Sequence, residues 1–290
     1  AVALDNPRGT APGQRIEHEG RLLVLLPGPP GEMKPLFETH VLPALESGGR
    51  VIRRRVLRIA AMPESQVDEL VAPLYRAVEN PRTTILGAPG QIELHLVGEG
   101  ASAEQAEEAI ESLAVGLRER LPDRIFSEDG RELPAVVGAL LVERDLTLAV
   151  AESCTGGLLS ARLTDVPGAS RFLDRSFVTY SNRSKVDEIG VEPGLLERAG
   201  AVSEEVAAAM AAGVRGVAGT SVGIGITGIA GPDGGTDDKP VGLVHIALDG
   251  AAGTRVHRAL FPGGRARVRF QATQIALEML RRGLLGLGPL

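Results

Sequence analysis

A short apolar run that ends in a polar, glycine-rich turn and resumes as a helix constrains this chain more than any other feature. Residues 146–163 read Leu-Thr-Leu-Ala-Val-Ala-Glu-Ser-Cys-Thr-Gly-Gly-Leu-Leu-Ser-Ala-Arg-Leu. The stretch 146–151 has the β-branched apolar content of a buried strand. From Gly157 onward, Leu158, Ala161, Leu163 and Val166 recur at helical spacing. Between them lies Glu152-Ser153-Cys154-Thr155-Gly156-Gly157, a turn at the carboxyl end of a strand. Such a turn leaves the first helical N–H groups without partners and directed at whatever fills the adjoining crevice. A serine there has backbone donors beside its hydroxyl, as acyl transfer requires. It is equally the position of an ordinary helix cap.

The pattern around this stretch repeats strand and helix. Residues 136–142 read as an apolar helix, 177–181 as a strand, and Ser203 as the cap of an alanine-rich helix ending near Ala218. Residues 221–226, 241–248 and 254–261 read as strands, and Pro262-Gly263-Gly264 opens a last helix with Val268, Ala272, Ile275, Met279 and Leu280 inward. Alternation of this kind predicts a three-layer α/β/α domain over 134–290, with its loops converging on one crevice. Residues 50–133 read as strand, helix, two strands and helix, a small α+β module. Its first helix carries Val67, Leu70, Val71, Leu74 and Val78 on one face and is kinked at Pro73, and Ser102 with Gln105 forms a capping box before the second. Residues 1–49 offer one strand at 21–26 and an interrupted helix at 33–45, too little to bury a core. They are read as the tail of a domain.

Composition narrows the function. A formal charge of -6 argues against a general polyanion binder. One cysteine, Cys154, excludes an internal disulfide and a cysteine-based zinc site. No apolar run reaches the length of a membrane span, so a cytoplasmic protein is expected. Gly87-Ala88-Pro89-Gly90 has the letters of a KH clamp but joins two strands rather than two helices. Arg53, Arg54, Arg55 and Arg58 read as a solvated or interfacial patch, so nucleic-acid binding is not expected. Asp233, Asp237 and Asp238 read as an acidic loop rather than a metal site.

No Gly-x-Ser-x-Gly elbow is present, and His245 and His257 lie mid-strand, which argues against a Ser-His-Asp triad. Lysine occurs only at Lys34, Lys185 and Lys239, while arginine supplies the other cations. A lysine retained in such a chain suits chemistry that needs a removable proton. Ser153 as nucleophile and Lys185 as base form the pair that remains. A free lysine, pKa about 10.4, is neutral about once in 2,500 molecules at pH 7, so the base role needs a downward shift of roughly three units, on the order of 4 kcal/mol. Burial and the neighbouring Arg183 are the expected causes, and Tyr180 is placed to relay the proton or orient the amine. The backbone of Cys154, Thr155, Gly156 and Gly157 is a candidate oxyanion site. Gly228 to Gly231 is a candidate seat for a ring carboxamide or phosphate. Arg265 and Arg269, in the first turns of the last helix, suit a phosphate. Cys154, the rival nucleophile, lacks an activating histidine and reads as a packed residue.

These residues carry a resemblance. Ala-Glu-Ser-Cys-Thr-Gly-Gly at 151–157, Phe-Val-Thr-Tyr-Ser-Asn-x-x-Lys at 177–185 and Gly-Ala-Val-Ser at 200–203 resemble the CinA C-terminal domain. So do Gly-Ile-Ala-Gly-Pro-Asp-Gly-Gly at 228–235 and Lys-Pro-Val-Gly at 239–242. The resemblance implies a nicotinamide mononucleotide (NMN) deamidase with Ser153 as nucleophile, activated by Lys185 and Tyr180, and no cofactor for that reaction. The pyridine nucleotide would be held by Cys154, Thr155, Gly156, Gly157, Asn182, Thr227, Gly228, Ala230, Gly231, Arg265 and Arg269. The middle segment fits the family's KH-like connector. Gly-Thr-Ala-Pro-Gly at 9–13 and Leu-Pro-Gly-Pro-Pro-Gly-Glu-Met at 26–33 resemble the end of its molybdopterin-binding-like domain. That domain is linked to ADP-ribose pyrophosphatase activity with a divalent metal, but its front is not matched here. The family tends to dimerise.

Overall fold

The computed structural model describes residues 1–45, 49–88 and 90–290. By contacts the chain divides into two compact units, 1–51 with 100–102, and 52–99 with 103–290.

In the first unit, strands β1 (Val2–Leu4), β2 (Gly13–His18) and β3 (Arg21–Leu25) form an antiparallel sheet in the order β1-β2-β3. Helix α1 (Pro30–Leu36) follows, with Pro29 before it and Pro30 at its first position, where the missing N–H costs nothing. It passes into a π-helical turn at Phe37–Val41. The expected single strand is thus three, and the interrupted helix expected at 33–45 starts earlier, at Pro30, and runs on through the π-helical turn and a 3-10 turn at Leu42–Ala44. Two of these strands are short or polar and carry little apolar periodicity, which hid them.

The second unit contains a small α+β module and a larger α/β one. The small module runs β4 (Val51–Ala60), α2 (Glu64–Tyr75), β5 (Arg82–Ala88), β6 (Gln91–Gly100), α3 (Ala103–Arg120) and β7 (Ile125–Ser127). Its sheet has the order β5-β6-β4-β7. Leu57 and Ile59, Val67 and Val71, Leu94 and Leu96, and Ile110 and Leu117 pack together under the two helices. Val78, expected on the α2 face, lies past the end of the helix and is exposed. β5 and β6 form a hairpin, as the sequence predicts, although Pro89 at its turn lies outside the described residues.

The larger module begins with α4 (Leu133–Glu143) and continues through β8 (Leu148–Glu152), α5 (Leu158–Thr164), β9 (Leu173–Val178), α6 (Asn182–Ile189), α7 (Pro193–Ala199), α8 (Glu204–Ala218), β10 (Val222–Gly228), β11 (Leu243–Gly250), β12 (Gly253–Leu260) and α9 (Arg265–Leu285). Its sheet has the order β12-β11-β10-β8-β9, with β9, β8 and β10 parallel and β11 and β12 antiparallel additions. Parallel strands require crossovers that cover both faces, and every residue of β8 is accordingly buried. Leu148 and Val150 join a core with α4, α5 and α9, while Ala149 and Ala151 join one with α6, α7 and α8. The three-layer α/β/α expectation is met, with the mixed edge as its departure.

That alternation positions the site. Extending it past Ala151 sends Glu152 toward α5 and Ser153 toward α6. β8 therefore ends one residue later than expected, on a fully buried carboxylate. Residues 179–181, expected as strand, form instead the turn into α6. Ser181 is its cap, accepting the Ser184 N–H at 3.0 Å while the Ser184 hydroxyl accepts the Ser181 N–H at 3.1 Å. A reciprocal cap of this kind competes with sheet pairing and ends β9 early.

Candidate active site

Ser153 follows β8 and is 9% exposed. Its N–H donates to the Ile226 carbonyl of β10 at 3.0 Å, so the residue is fixed to the sheet by its backbone. Lys185, in the first turn of α6, is 1% exposed, and its Nζ stands 3.2 Å from Ser153 Oγ. The same nitrogen lies 2.8 Å from the Thr179 carbonyl, 3.4 Å from that of Tyr180 and 3.5 Å from that of Ser181. The turn that replaces the end of the expected strand thus supplies a ring of acceptors. A neutral amine can donate two N–H bonds into that ring and keep its lone pair for the serine proton. Burial pushes the Lys185 pKa below its ordinary value. Arg183 contributes nothing to this: its side chain is in solvent, paired with Asp187 at 3.0 Å.

Tyr180 does not reach the amine with its hydroxyl, contrary to the expected proton relay. Its ring is exposed, and its hydroxyl accepts from Arg265 Nη2 at 2.9 Å. Only its carbonyl faces Lys185. An i to i+5 separation across a helix cap places the backbone, not the ring, beside the lysine. Cys154 is buried, and desolvation pushes its thiol pKa up to about 12, which makes it a poor nucleophile.

Two arginines close the crevice from α9. Arg265 Nη1 donates to the Gly231 carbonyl at 3.0 Å, tying the 228–235 loop to Tyr180. Arg269 donates to the Thr155 carbonyl from Nε at 3.1 Å and from Nη2 at 2.6 Å. Neither has a carboxylate partner among the described residues. Of the turn N–H groups, that of Gly156 is taken by the Ser153 carbonyl at 3.0 Å. Those of Thr155 and Gly157 make no hydrogen bond among the described residues. Gly156 and Gly157 both have positive φ, 58° and 86°, which L side chains resist. The Thr227 hydroxyl is committed to the Ala201 carbonyl at 2.7 Å, so it holds the loop before α8. Ala230 is buried, Gly228 pairs with β11, and Asn182 is exposed at the start of α6.

Sequence reasoning passed over Glu152. Its carboxylate, fully buried, accepts the Leu159 N–H at 3.0 Å, the Ser160 N–H at 2.8 Å and the Ser160 hydroxyl at 2.6 Å. It caps α5 from the preceding strand and holds the serine turn against the helix. A carboxylate at the last position of an otherwise apolar strand was the available signal. Helix α5 buries Leu159 and Leu163, whereas Leu158 is half-buried and Ala161 exposed.

Of the four arginines on β4, Arg55 and Arg58 are paired with carboxylates, while Arg53 reaches the Ile52 carbonyl at 3.3 Å and Arg54 the His95 ring at 2.6 Å. Arg55 pairs with Glu107 and Glu111, and Arg58 with Glu132 and with Glu93 at 3.0 Å. No group of three or more His, Cys, Asp or Glu side chains able to hold a metal ion occurs among the described residues. No helix among them is long and apolar enough to cross a membrane.

The fold and site together define a three-layer α/β protein with a buried serine–lysine pair at the carboxyl edge of its parallel strands. Residues 130–284 match the CinA C-terminal domain family, and residues 54–127 match the damage-inducible protein CinA KH domain. A putative competence-damage inducible protein of Moorella thermoacetica is 50% identical over 287 residues, covering 98% of this chain and 69% of that protein. A CinA-like protein of Koribacter versatilis is 45% identical over 291 residues, covering 98% and 70%. Among solved structures, a CinA superfamily protein from Klebsiella pneumoniae is 34% identical with a TM-score of 0.52, over 53% of this chain and 96% of that one. One from Enterobacter cloacae is 35% identical with a TM-score of 0.51, over 55% and 96%. The chain belongs to the CinA family.

Proposed function

We propose that this chain hydrolyses the carboxamide of nicotinamide mononucleotide, giving nicotinate mononucleotide and ammonia. The observation that carries this reading is the Lys185 amine, buried and 3.2 Å from the Ser153 hydroxyl, with carbonyls rather than carboxylates around it. Ser153 Oγ attacks the carboxamide carbon as Lys185 Nζ takes the hydroxyl proton. The Thr155 and Gly157 N–H groups receive the developing oxyanion. Lys185 returns the proton to the leaving nitrogen, ammonia departs, and a seryl ester remains. Water, deprotonated by the same amine, then attacks the ester, and Lys185 passes that proton to Ser153 Oγ as the acid is released. Arg265 and Arg269 bind the substrate phosphate, and Tyr180 orients Arg265 through its hydroxyl.

The proposal extends to a homodimer in the cytoplasm that recycles pyridine nucleotides without nucleic acid as a partner. It also takes 1–49 as the end of a molybdopterin-binding-like domain, 50–133 as the KH-like connector and 134–290 as the amidohydrolase. The test is ammonia release from NMN, nicotinamide riboside and nicotinamide in the presence of EDTA. Turnover of NMN that survives chelation and disappears in Ser153→Ala supports the reading. Binding of NMN without turnover overturns it in favour of a non-catalytic nucleotide-binding regulator.

A further inference from the structure

A second concavity lies at the opposite edge of the same sheet. It has a volume of ≈ 510 Å³ and sits where β8 and β10 begin and β11 turns into β12. From Val222 beside Leu148 to Ile226 beside Glu152 the paired strands span five residues, so about 16 Å of sheet separates it from the serine turn. Its floor is apolar, made by Leu146, Val222, Leu248, Leu280 and Leu284. Arg144, Arg215 and Arg255 line it, and no carboxylate does.

The three arginines differ in how fully they are used. Arg215 is held by Asp249 at 2.5 Å. Arg144 has only the Leu140 carbonyl at 3.5 Å and Glu143 at 3.7 Å. The Arg255 guanidinium has no hydrogen bond or ion pair among the described residues, the residue pairing with Leu248 through its backbone. Ser221, also on the wall, accepts the Thr147 N–H on its oxygen at 3.2 Å and so keeps its own O–H for another acceptor. The larger cleft, ≈ 630 Å³ between the two modules, balances Arg267 with Glu64 and shows no such excess of one sign.

We propose that this basin binds a small organic anion, with an apolar or aromatic body on the leucine floor and a carboxylate, sulfonate or phosphate on Arg255 and Arg144. The volume lies in the range of pockets that enclose nucleotide-sized ligands. The apolar floor supplies affinity through burial, and the unpaired guanidinium selects charge. Free inorganic ions gain nothing from the floor, and neutral apolar molecules gain nothing from the arginines. The site is independent of the amidase reading, because no residue of the serine crevice lines it.

The probe for the test is 1-anilinonaphthalene-8-sulfonate, followed by fluorescence against the uncharged N-phenyl-1-naphthylamine. The expected result is saturable binding of the sulfonate at one site, at least tenfold tighter than the neutral compound and at least tenfold weakened by Arg255→Glu with Arg144→Glu. Bound sulfonate also protects Arg255 from phenylglyoxal modification, read by mass spectrometry in the unaltered protein. Both arginines are surface residues, and an unchanged melting temperature confirms that the variant folds. NMN turnover, where present, is expected to be unchanged by Arg255→Glu. Equal binding of the neutral compound, unaltered binding by the variant, or protection of Arg269 instead of Arg255 overturns the proposal. So does sedimentation in which a second copy covers the basin and Arg255→Glu releases it.

Discussion

The KH-like module and the serine crevice treat positive charge in opposite ways. In the module, Arg118 joins Glu128 and Glu111, each at 2.7 Å or less, and Arg55 shares Glu111 with it. In the crevice, Lys185, Arg265 and Arg269 meet carbonyls and a phenol hydroxyl, all neutral. A guanidinium already bracketed by carboxylates has no field left for a ligand, whereas one held by neutral acceptors is positioned while its charge stays available. The same residue type therefore builds structure in one region and a prospective anion site in the other. Length of arginine runs in the sequence points to the wrong region.

The largest effect expected from this contrast lies at the serine. Ser153→Ala, and separately Lys185→Ala, should lower kcat for ammonia release from NMN by roughly 10³-fold or more, since residues acting as a unit lose nearly everything together. Activity kept in Ser153→Ala would break the assignment outright. Next in size is the pH dependence. Burial lowers the Lys185 pKa, and only the unprotonated amine can accept the serine proton, so kcat/KM should climb about tenfold per unit as pH rises toward that pKa and then level off. The plateau must begin below the lysine's ordinary 10.5. A profile that is flat on the acid side would remove Lys185 from the role of base.

Smaller effects separate the two arginine sets. Arg269→Ala should raise KM for NMN by about 10- to 100-fold with a lesser change in kcat, as expected for loss of one charge-assisted phosphate contact. Arg55→Ala should leave both constants unchanged in the same assay. Smallest is Glu111→Gln. Arg118 and Arg55 hold the Glu111 pKa down to about 2. Its stabilising contribution is therefore complete above the unfolded value near 4.5 and is lost as pH falls through about 2. Because the pair is partly exposed, the variant should lose only about 0.5–1 kcal/mol in denaturant melts at pH 7 and nothing once both forms are protonated.

Much of the larger module could be read from the chain, for a physical reason. Strands buried on both faces, such as β8, must be apolar throughout, and helices such as α8 must carry a stripe, so burial writes itself into the pattern. The first unit was less readable because short strands such as β1 (Val2–Leu4) have too few positions for a period to show. The capping of α5 by Glu152 was not legible, because it joins two elements and no local pattern records that contact. Tyr180 was given the right neighbourhood and the wrong partner. Spacing places a residue on a turn, while the cap at Ser181 decides whether its ring or its carbonyl looks inward.

Apolar periodicity, turn chemistry and the scarcity of lysine were enough to determine that strand, turn and helix alternate, that Ser153 ends up at a strand's carboxyl edge, and that Lys185 is its candidate base. Which donors remain free, which arginines keep their charge, and how near Nζ comes to Oγ were decided only when β8, α6 and α9 packed together. Those quantities depend on contacts between residues up to 114 positions apart, as between Arg269 and Thr155, and a linear pattern carries no term for them.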